Sequence, residues 1–120
     1  MARAVCLVRD LMDRVKIEAA ASGLNLELVF APTKEGFFEK AANNVPSVFI
    51  LDLDLNQQSI PILEELGRSE EFMGIPTIGF YQHSNAENAK MAKENGCETI
   101  LTRSMFAERL PEILKRMAPA

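Results

Sequence analysis

Tryptophan is missing from this 120-residue chain, tyrosine and histidine occur once each, and cysteine occurs twice. Two cysteines, Cys6 and Cys97, both inside apolar strand-like runs, leave no disulfide framework and no Cys/His metal cluster to build. They read as small buried hydrophobes. The chain also lacks a glycine-rich phosphate loop, a dinucleotide fingerprint and a Gly-x-Ser-x-Gly elbow, which takes away the usual supports of a cofactor enzyme or a serine hydrolase. A hydrolase built on Ser84 and His83 fails as well, because neighbouring side chains diverge. An enzyme is therefore not expected.

Long apolar runs are lacking too. No segment approaches the roughly 20 residues that cross a bilayer, so no membrane association is expected. Met1-Ala2-Arg3 leads straight into a short apolar run that meets Arg9-Asp10, without the proportions of a signal peptide. A cytoplasmic protein is expected. Positive charge is scarce: 13 Lys and Arg face 17 Asp and Glu, a formal net charge of −4. Without a basic run, phosphate neutralisation has little to work with, and nucleic acid is not an expected partner. Arg103, Arg109, Lys115 and Arg116 come nearest to a cluster, and they read as solvated positions and helix C-terminal charges.

What remains is a chain with 48% hydrophobic residues and no low-complexity segment, which suits one compact domain over residues 1–120. Two patterns alternate five times along it. Arg3 to Val8 reads as a buried strand, followed by a helix with Leu11, Val15 and Ala19 at four-residue spacing and closed by Gly23. Leu26 to Phe30 is a second strand, and Thr33 opens a helix carrying Phe37, Phe38, Ala41 and Ala42 that stops at Asn43-Asn44. Val48 to Leu53 is the third strand. A polar loop from Asp54 to Gln58 precedes a helix with Ile62, Leu63 and Leu66 inward and Pro61 in its first turn. Thr77 to Tyr81 is the fourth strand, and a helix from about Asn85 to Asn95 offers mainly alanines to the core, which anchors it weakly. Thr99 to Thr102 is the fifth. The last helix carries Leu110, Ile113, Leu114 and Met117, and Pro111 places its regular part from about Glu108.

Strand-helix units on short connections imply right-handed crossovers and a doubly wound α/β domain with a parallel sheet. In such sheets the crevice lies beyond the carboxyl ends of the strands, where the strand order reverses. The strand exits carry Arg9 and Asp10, Asp52 and Asp54, Tyr81 to His83, and Thr102 to Ser104. Asp52 stands out, since a carboxylate ending an otherwise apolar strand needs water, a cation or hydrogen-bond donors. Asp52 alone is equally readable as a turn residue. His83, just past the fourth strand, reads as an exposed loop residue, as a partner for Asp52, or as a helix cap.

The whole chain resembles the receiver domains of bacterial two-component response regulators, the CheY-like family. Val5-Cys6-Leu7-Val8-Arg9-Asp10 is similar to the first strand with its acidic pair, and Phe49-Ile50-Leu51-Asp52-Leu53 to the third strand ending in the phosphoryl-accepting aspartate. Ile75-Pro76-Thr77-Ile78 is similar to the start of strand four, and Gly96-Cys97-Glu98-Thr99-Ile100-Leu101-Thr102-Arg103 to the segment that ends in the family's lysine. The resemblance implies a flavodoxin-like (βα)5 fold with strand order 2-1-3-4-5. It implies Asp52 as phospho-acceptor, with Mg²⁺ held by Asp10, Asp52 and the backbone carbonyl of Asp54. It puts Arg103 in the lysine position, Tyr81 in that of a small hydroxyl residue, Ile100 in that of an aromatic, and Arg9 in that of the first acid.

Two mechanisms follow for the altered site. In one, Asp52 is phosphorylated, with Asp10 holding the cation and Arg103 clamping the phosphoryl group. In the other, Arg9 or Arg103 pairs permanently with Asp52, and the domain is a pseudo-receiver. A stand-alone signalling domain acting on a protein partner, a sensor kinase or a downstream protein, is the expectation, and a homodimer is compatible with it. A phosphotransfer intermediate and a small-ligand module of flavodoxin type are the alternatives. The partner face expected from the resemblance carries Lys90, Met91, Lys93, Arg109 and Lys115.

Overall fold

The computed structural model describes residues 2–117. Strands β1 (Ala2–Leu7), β2 (Leu26–Ala31), β3 (Val48–Asp52), β4 (Thr77–Tyr81) and β5 (Thr99–Thr102) alternate with helices α1 (Leu11–Ala20), α2 (Lys34–Asn43), α3 (Asn56–Arg68), α4 (Ala86–Glu94) and α5 (Arg103–Met117). All strand pairs are parallel, and the sheet order is β2-β1-β3-β4-β5. This is the flavodoxin-like (βα)5 arrangement with the expected order 2-1-3-4-5.

Strand alternation splits the core into two layers. Val5, Leu7, Phe49, Leu51 and Leu53 face α2, α3 and α4, together with Phe37, Ile62, Leu63 and Leu66. Ala4, Cys6, Val48, Ile50, Ile78 and Phe80 face α1 and α5, together with Ile17, Phe106, Leu110 and Leu114. β3 sits in the middle and is buried throughout, as its uninterrupted apolar run requires. Gly79 is in β4 for a packing reason: a Cβ there would come within 2.7–2.9 Å of the Leu53 side chain, which is fully buried above it. Gly23 and Gly96, just beyond α1 and α4, have φ of +82° and +90°, the left-handed region that glycine enters at little cost.

Three expectations are corrected. Leu11 and Val15, taken as the inner face of the first helix, are 71% and 47% exposed, and α1 buries Asp13 and Ile17 instead. The inward stripe runs Asp13, Ile17, Ala21, offset from the apolar one, because Asp13 has a partner below it. Pro61 is inside α3 rather than in its first turn, since the helix already begins at Asn56. Its missing amide orphans only the carbonyl of Gln57, an exposed residue that water can serve. Pro111 likewise sits within α5, which runs unbroken from Arg103, and the carbonyl it orphans belongs to exposed Ala107. The weak anchoring of α4 is observed: Ala92 is its one buried residue.

Candidate functional site

The period of two that puts Val48 and Ile50 under α1 and α5 puts Asp52 there as well, 4% exposed at the C-terminal end of the central strand. Its Oδ1 accepts a hydrogen bond from the Asp54 amide at 3.0 Å, which turns the chain out of the strand. Asp13 reaches the same place from the first turn of α1 and is 5% exposed. Arg103 comes from the first residue of α5, directly after β5.

The Arg103 guanidinium lies among three carboxylates. Nη1 donates to both oxygens of Asp13 at 2.7 Å, and Nη2 donates to the two oxygens of Asp52 at 3.1 and 3.2 Å. Nε is 3.4 Å from Asp54 Oδ2. The guanidinium carbon stands 4.9 Å from the centroid of the Phe80 ring, which stacks on Phe106 at 4.2 Å. This aromatic floor holds the planar cation by cation–π attraction and excludes water from below. Five donors in a rigid plane are what allow one side chain to serve three acids, and a lysine ammonium offers no such spread.

Asp54 extends the network to α4. Its oxygens accept from the Gln82 amide at 2.8 Å, Asn85 Nδ2 at 3.0 Å and Asn88 Nδ2 at 3.1 Å, and Asn88 also receives the Asn56 amide at 3.2 Å. Burial pushes the Asp54 carboxyl up, but the hydrogen bonds from Asn85, Asn88 and Gln82, with the nearby guanidinium, outweigh it and hold this acid below the usual carboxylate range. Asp52 goes the other way. Its burial is the largest influence and raises it, the neighbouring charges of Asp13 and Asp54 add to the rise, and the Asp54 amide and Arg103 offset only part. Burial lowers Arg103, yet the hydrogen bond to Asp13 and the three negative charges raise it overall.

The remaining predicted residues lie around this centre without entering it. Arg9 is exposed and donates Nε to the Pro32 carbonyl at 2.8 Å. Among the described residues no ion pair joins it to Asp52, which corrects the expectation that either arginine could fill that role. β1 lies next to edge strand β2, and Arg9 turns toward that edge. Asp10 is exposed as well, and its Oδ1 caps α1 by accepting from the Met12 amide at 2.7 Å. Tyr81 is half-buried and packs with Met91 and Ile100 against the layer under α2 to α4. Being one residue past Phe80, its ring is on the sheet face opposite Asp52 and Arg103, so it does not serve as a site hydroxyl here. His83 lies exposed in the turn before α4, and α4 has no side-chain cap. Arg103, read both among the solvated cations and as a partner for Asp52, is paired with Asp52 and is the hub of the site.

Sequence reasoning missed Asp13, Asn85 and Asn88. For Asp13 a signal existed: it is four residues before Ile17, on the same helix face.

No family model matches the chain, and no curated protein sequence matches it. Solved structures do. A response regulator from Hahella chejuensis superposes with a TM-score of 0.85 at 14% identity, covering 98% of this chain and 95% of that one. Chemotaxis response regulator CheY4 of Vibrio cholerae gives 0.81 at 16% identity, covering 98% of each chain. The Mn²⁺-bound form of response regulator Rcp1 gives 0.78 at 15% identity, covering 100% of each. The chain has the fold of response-regulator receiver domains.

Mg²⁺, which the receiver resemblance implies, does not fit these residues as they stand. Asp10 is engaged in capping α1, and oxygens of both Asp52 and Asp54 face the guanidinium. Among the described residues no three His, Cys, Asp or Glu side chains are grouped to hold an ion.

Proposed function

We propose that this chain, with its receiver fold, is a signalling module that acts by binding another protein, and that its Asp52 is held in a permanent ion pair so that output does not depend on phosphorylation. One observation carries the reading: both oxygens of Asp52 face Nη2 of Arg103, and Asp13 holds that guanidinium from the far side. A carboxylate attacks phosphorus with a free lone pair, while a metal neutralises the transferring oxygens. Here both oxygens of Asp52 already pair with a guanidinium, whose charge takes the place that a metal's would fill.

On this reading the protein is an adaptor rather than an enzyme. Its site tethers α1, β3, α4 and α5 to one another through one internal cation and the acids around it. The surface that fits a protein partner, a sensor kinase or a downstream signalling protein, is the one formed by α4, β5 and α5. Lys90, Lys93, Arg109 and Lys115 are exposed on it, and a depression of about 360 Å³ there is lined by Thr99, Leu101, Arg109, Glu112, Ile113 and Arg116. Two free, buried cysteines and the absence of any helix long and apolar enough to cross a membrane among the described residues suit a cytoplasmic setting.

The test is incubation with a small-molecule phosphoryl donor and Mg²⁺, followed by intact-mass measurement of the wild type and Asp52→Asn. Unchanged mass for both is expected. Gain of one phosphoryl group by the wild type alone would establish the phospho-acceptor reading instead.

A further inference from the structure

With Asp13 turned inward to meet Arg103, the apolar row of α1 faces solvent. Leu11, Val15 and Ala19, four residues apart, lie along one line of the helix and are all exposed, and Met12 stands beside Val15. Among the described residues five large apolar side chains are exposed, and Leu11, Met12 and Val15 are three of them. Single exposed apolar residues need no explanation, whereas a contiguous group of them marks an interaction surface. At its N-terminal end the row borders a depression of about 230 Å³ whose lining includes Leu11, Arg14, Phe30 and Pro32.

The charges beside the row indicate what covers it. Arg14 and Glu18 flank it on one side, half exposed, with Arg14 Nε 3.8 Å from Glu18 Oε2. Arginine ahead of glutamate is the poorer order for a pair within a helix, and an exposed pair of this kind contributes little, so both charges gain from a second partner. The Arg14 guanidinium rests over the Phe30 ring at 4.7 Å, which holds it at the edge of the row. When two copies of α1 lie antiparallel about a two-fold axis near Val15, each flank meets its own counterpart running the other way. Arg14 then faces Glu18 of the second copy, Glu18 faces Arg14 of the second copy, and four charges alternate in sign. Large Leu11 comes opposite small Ala19, and Val15 meets Val15. Lys16 lies on the opposite flank, beyond Met12, and is exposed to water.

We propose that α1 is a self-association surface, on which the row Leu11, Val15 and Ala19 packs antiparallel against the same row of a second copy of this chain, with Arg14 and Glu18 setting the register. A different protein would have to bring both an apolar row and the reversed order of charges, and this chain already carries the two together. Helices of ten residues bury less area than a standard stable interface, so the dimer is weak and forms as concentration rises.

The test is sedimentation equilibrium of the full chain from about 10 µM to about 1 mM, with far-UV circular dichroism to verify that each variant is folded. The wild type is expected to dimerise across this range. Val15→Glu, which sets like charges together at the axis, is expected to stay monomeric. Arg14→Glu and Glu18→Arg, each alone, oppose like charges and are expected to weaken dimerisation at least about tenfold. The double variant Arg14→Glu/Glu18→Arg restores the alternation in reverse and dimerises again. An equimolar mixture of the two single variants pairs where neither does alone.

A wild type that is monomeric throughout overturns the proposal and leaves the row to a different protein. Dimerisation of Val15→Glu as tight as that of the wild type also overturns it, by placing the contact on another face. Loss in both single variants without recovery in the double variant or the mixture overturns the antiparallel register and the proposal with it.

Discussion

Arg103 Nη1 donates to both carboxylate oxygens of Asp13 at 2.7 Å, across 90 residues of sequence. The contact ties the start of the last helix to the start of the first, and it sets the guanidinium plane from which Asp52 and Asp54 are reached. The consequences for stability are direct.

Removing this cation isolates three carboxylates in a mostly buried place. Arg103→Ala is expected to cost about 3 kcal/mol at neutral pH, as breaking a buried pair from one side does. Part of the loss returns at a second, acid pH, where Asp52, whose carboxyl is raised by its burial, takes up a proton. Urea unfolding at the two pH values reads both effects, and a loss independent of pH would mean that packing on Phe80, not charge, is what Arg103 supplies. Arg103→Lys keeps the charge without the fork and falls between.

Asp52 and Asp54 act on acid stability in opposite directions. For Asp54, lowered below the ordinary value, the contribution is present above that value and lost as pH falls through the folded one. Asp52 is raised, so the folded state binds its proton more tightly. Between the ordinary value of 3.8 and the raised one, rising pH therefore costs stability. The stability of the wild type relative to Asp52→Asn is thus expected to fall as pH rises through that window, and relative to Asp54→Asn to rise as pH climbs from strong acid. Denaturant midpoints across pH 3 to 7 give both slopes. A rising slope for Asp52 would show that Arg103 outweighs burial.

Gly79→Ala puts a methyl into the side chain of Leu53, which is fully buried and flanked by Asp52 and Asp54. Overpacking of this kind costs about 1–3 kcal/mol. Here the strain is delivered to the turn that carries two of the three acids. A lower Tm is expected, together with amide chemical-shift changes at residues 52–54. Confinement of the shifts to β4 would show that Leu53 yields without moving its neighbours.

The Ser59 hydroxyl in α3 is buried without a hydrogen-bond partner among the described residues. Ser59→Ala removes that unmet polar group and adds a better helix former, so a gain of about 1 kcal/mol in unfolding free energy is expected. A loss would indicate that an ordered water serves the hydroxyl.

Much of the architecture was legible because it depends on short-range pattern. The bounds of β4 and β5, the Thr33 cap and the stop at Asn43-Asn44 all lie where apolar runs, cap chemistry and turn residues place them. Asp52 was legible because a lone carboxylate ending a buried strand cannot be idle. The first helix was misread for the converse reason. Leu11 and Val15 form a plausible apolar stripe, but a buried ion pair inverts the usual logic, and the face carrying Asp13 turned inward. Prolines misled too, since Pro61 and Pro111 sit mid-helix where exposed carbonyls bear the missing bonds. Tyr81 shows a different limit: matching a position in a family motif says which strand a residue ends, whereas strand alternation decides which face its side chain takes.

Taken alone, the sequence determined the five strand-helix units, the two-sided burial of the central strand and the gathering of acids and arginines at the strand exits. These follow from hydrophobic period, caps and connection length, which are properties of neighbours in the chain. Which cation meets which acid was decided only by tertiary structure. Arg9 and Arg103 carry the same charge beside the same crevice. The first faces the β2 edge and the Pro32 carbonyl, while the second rises from the start of α5 over Phe80, into a space that Asp13 and Asp52 enter from α1 and β3. Residues 13, 52 and 103 meet because three separate elements converge there, and no local pattern encodes that meeting.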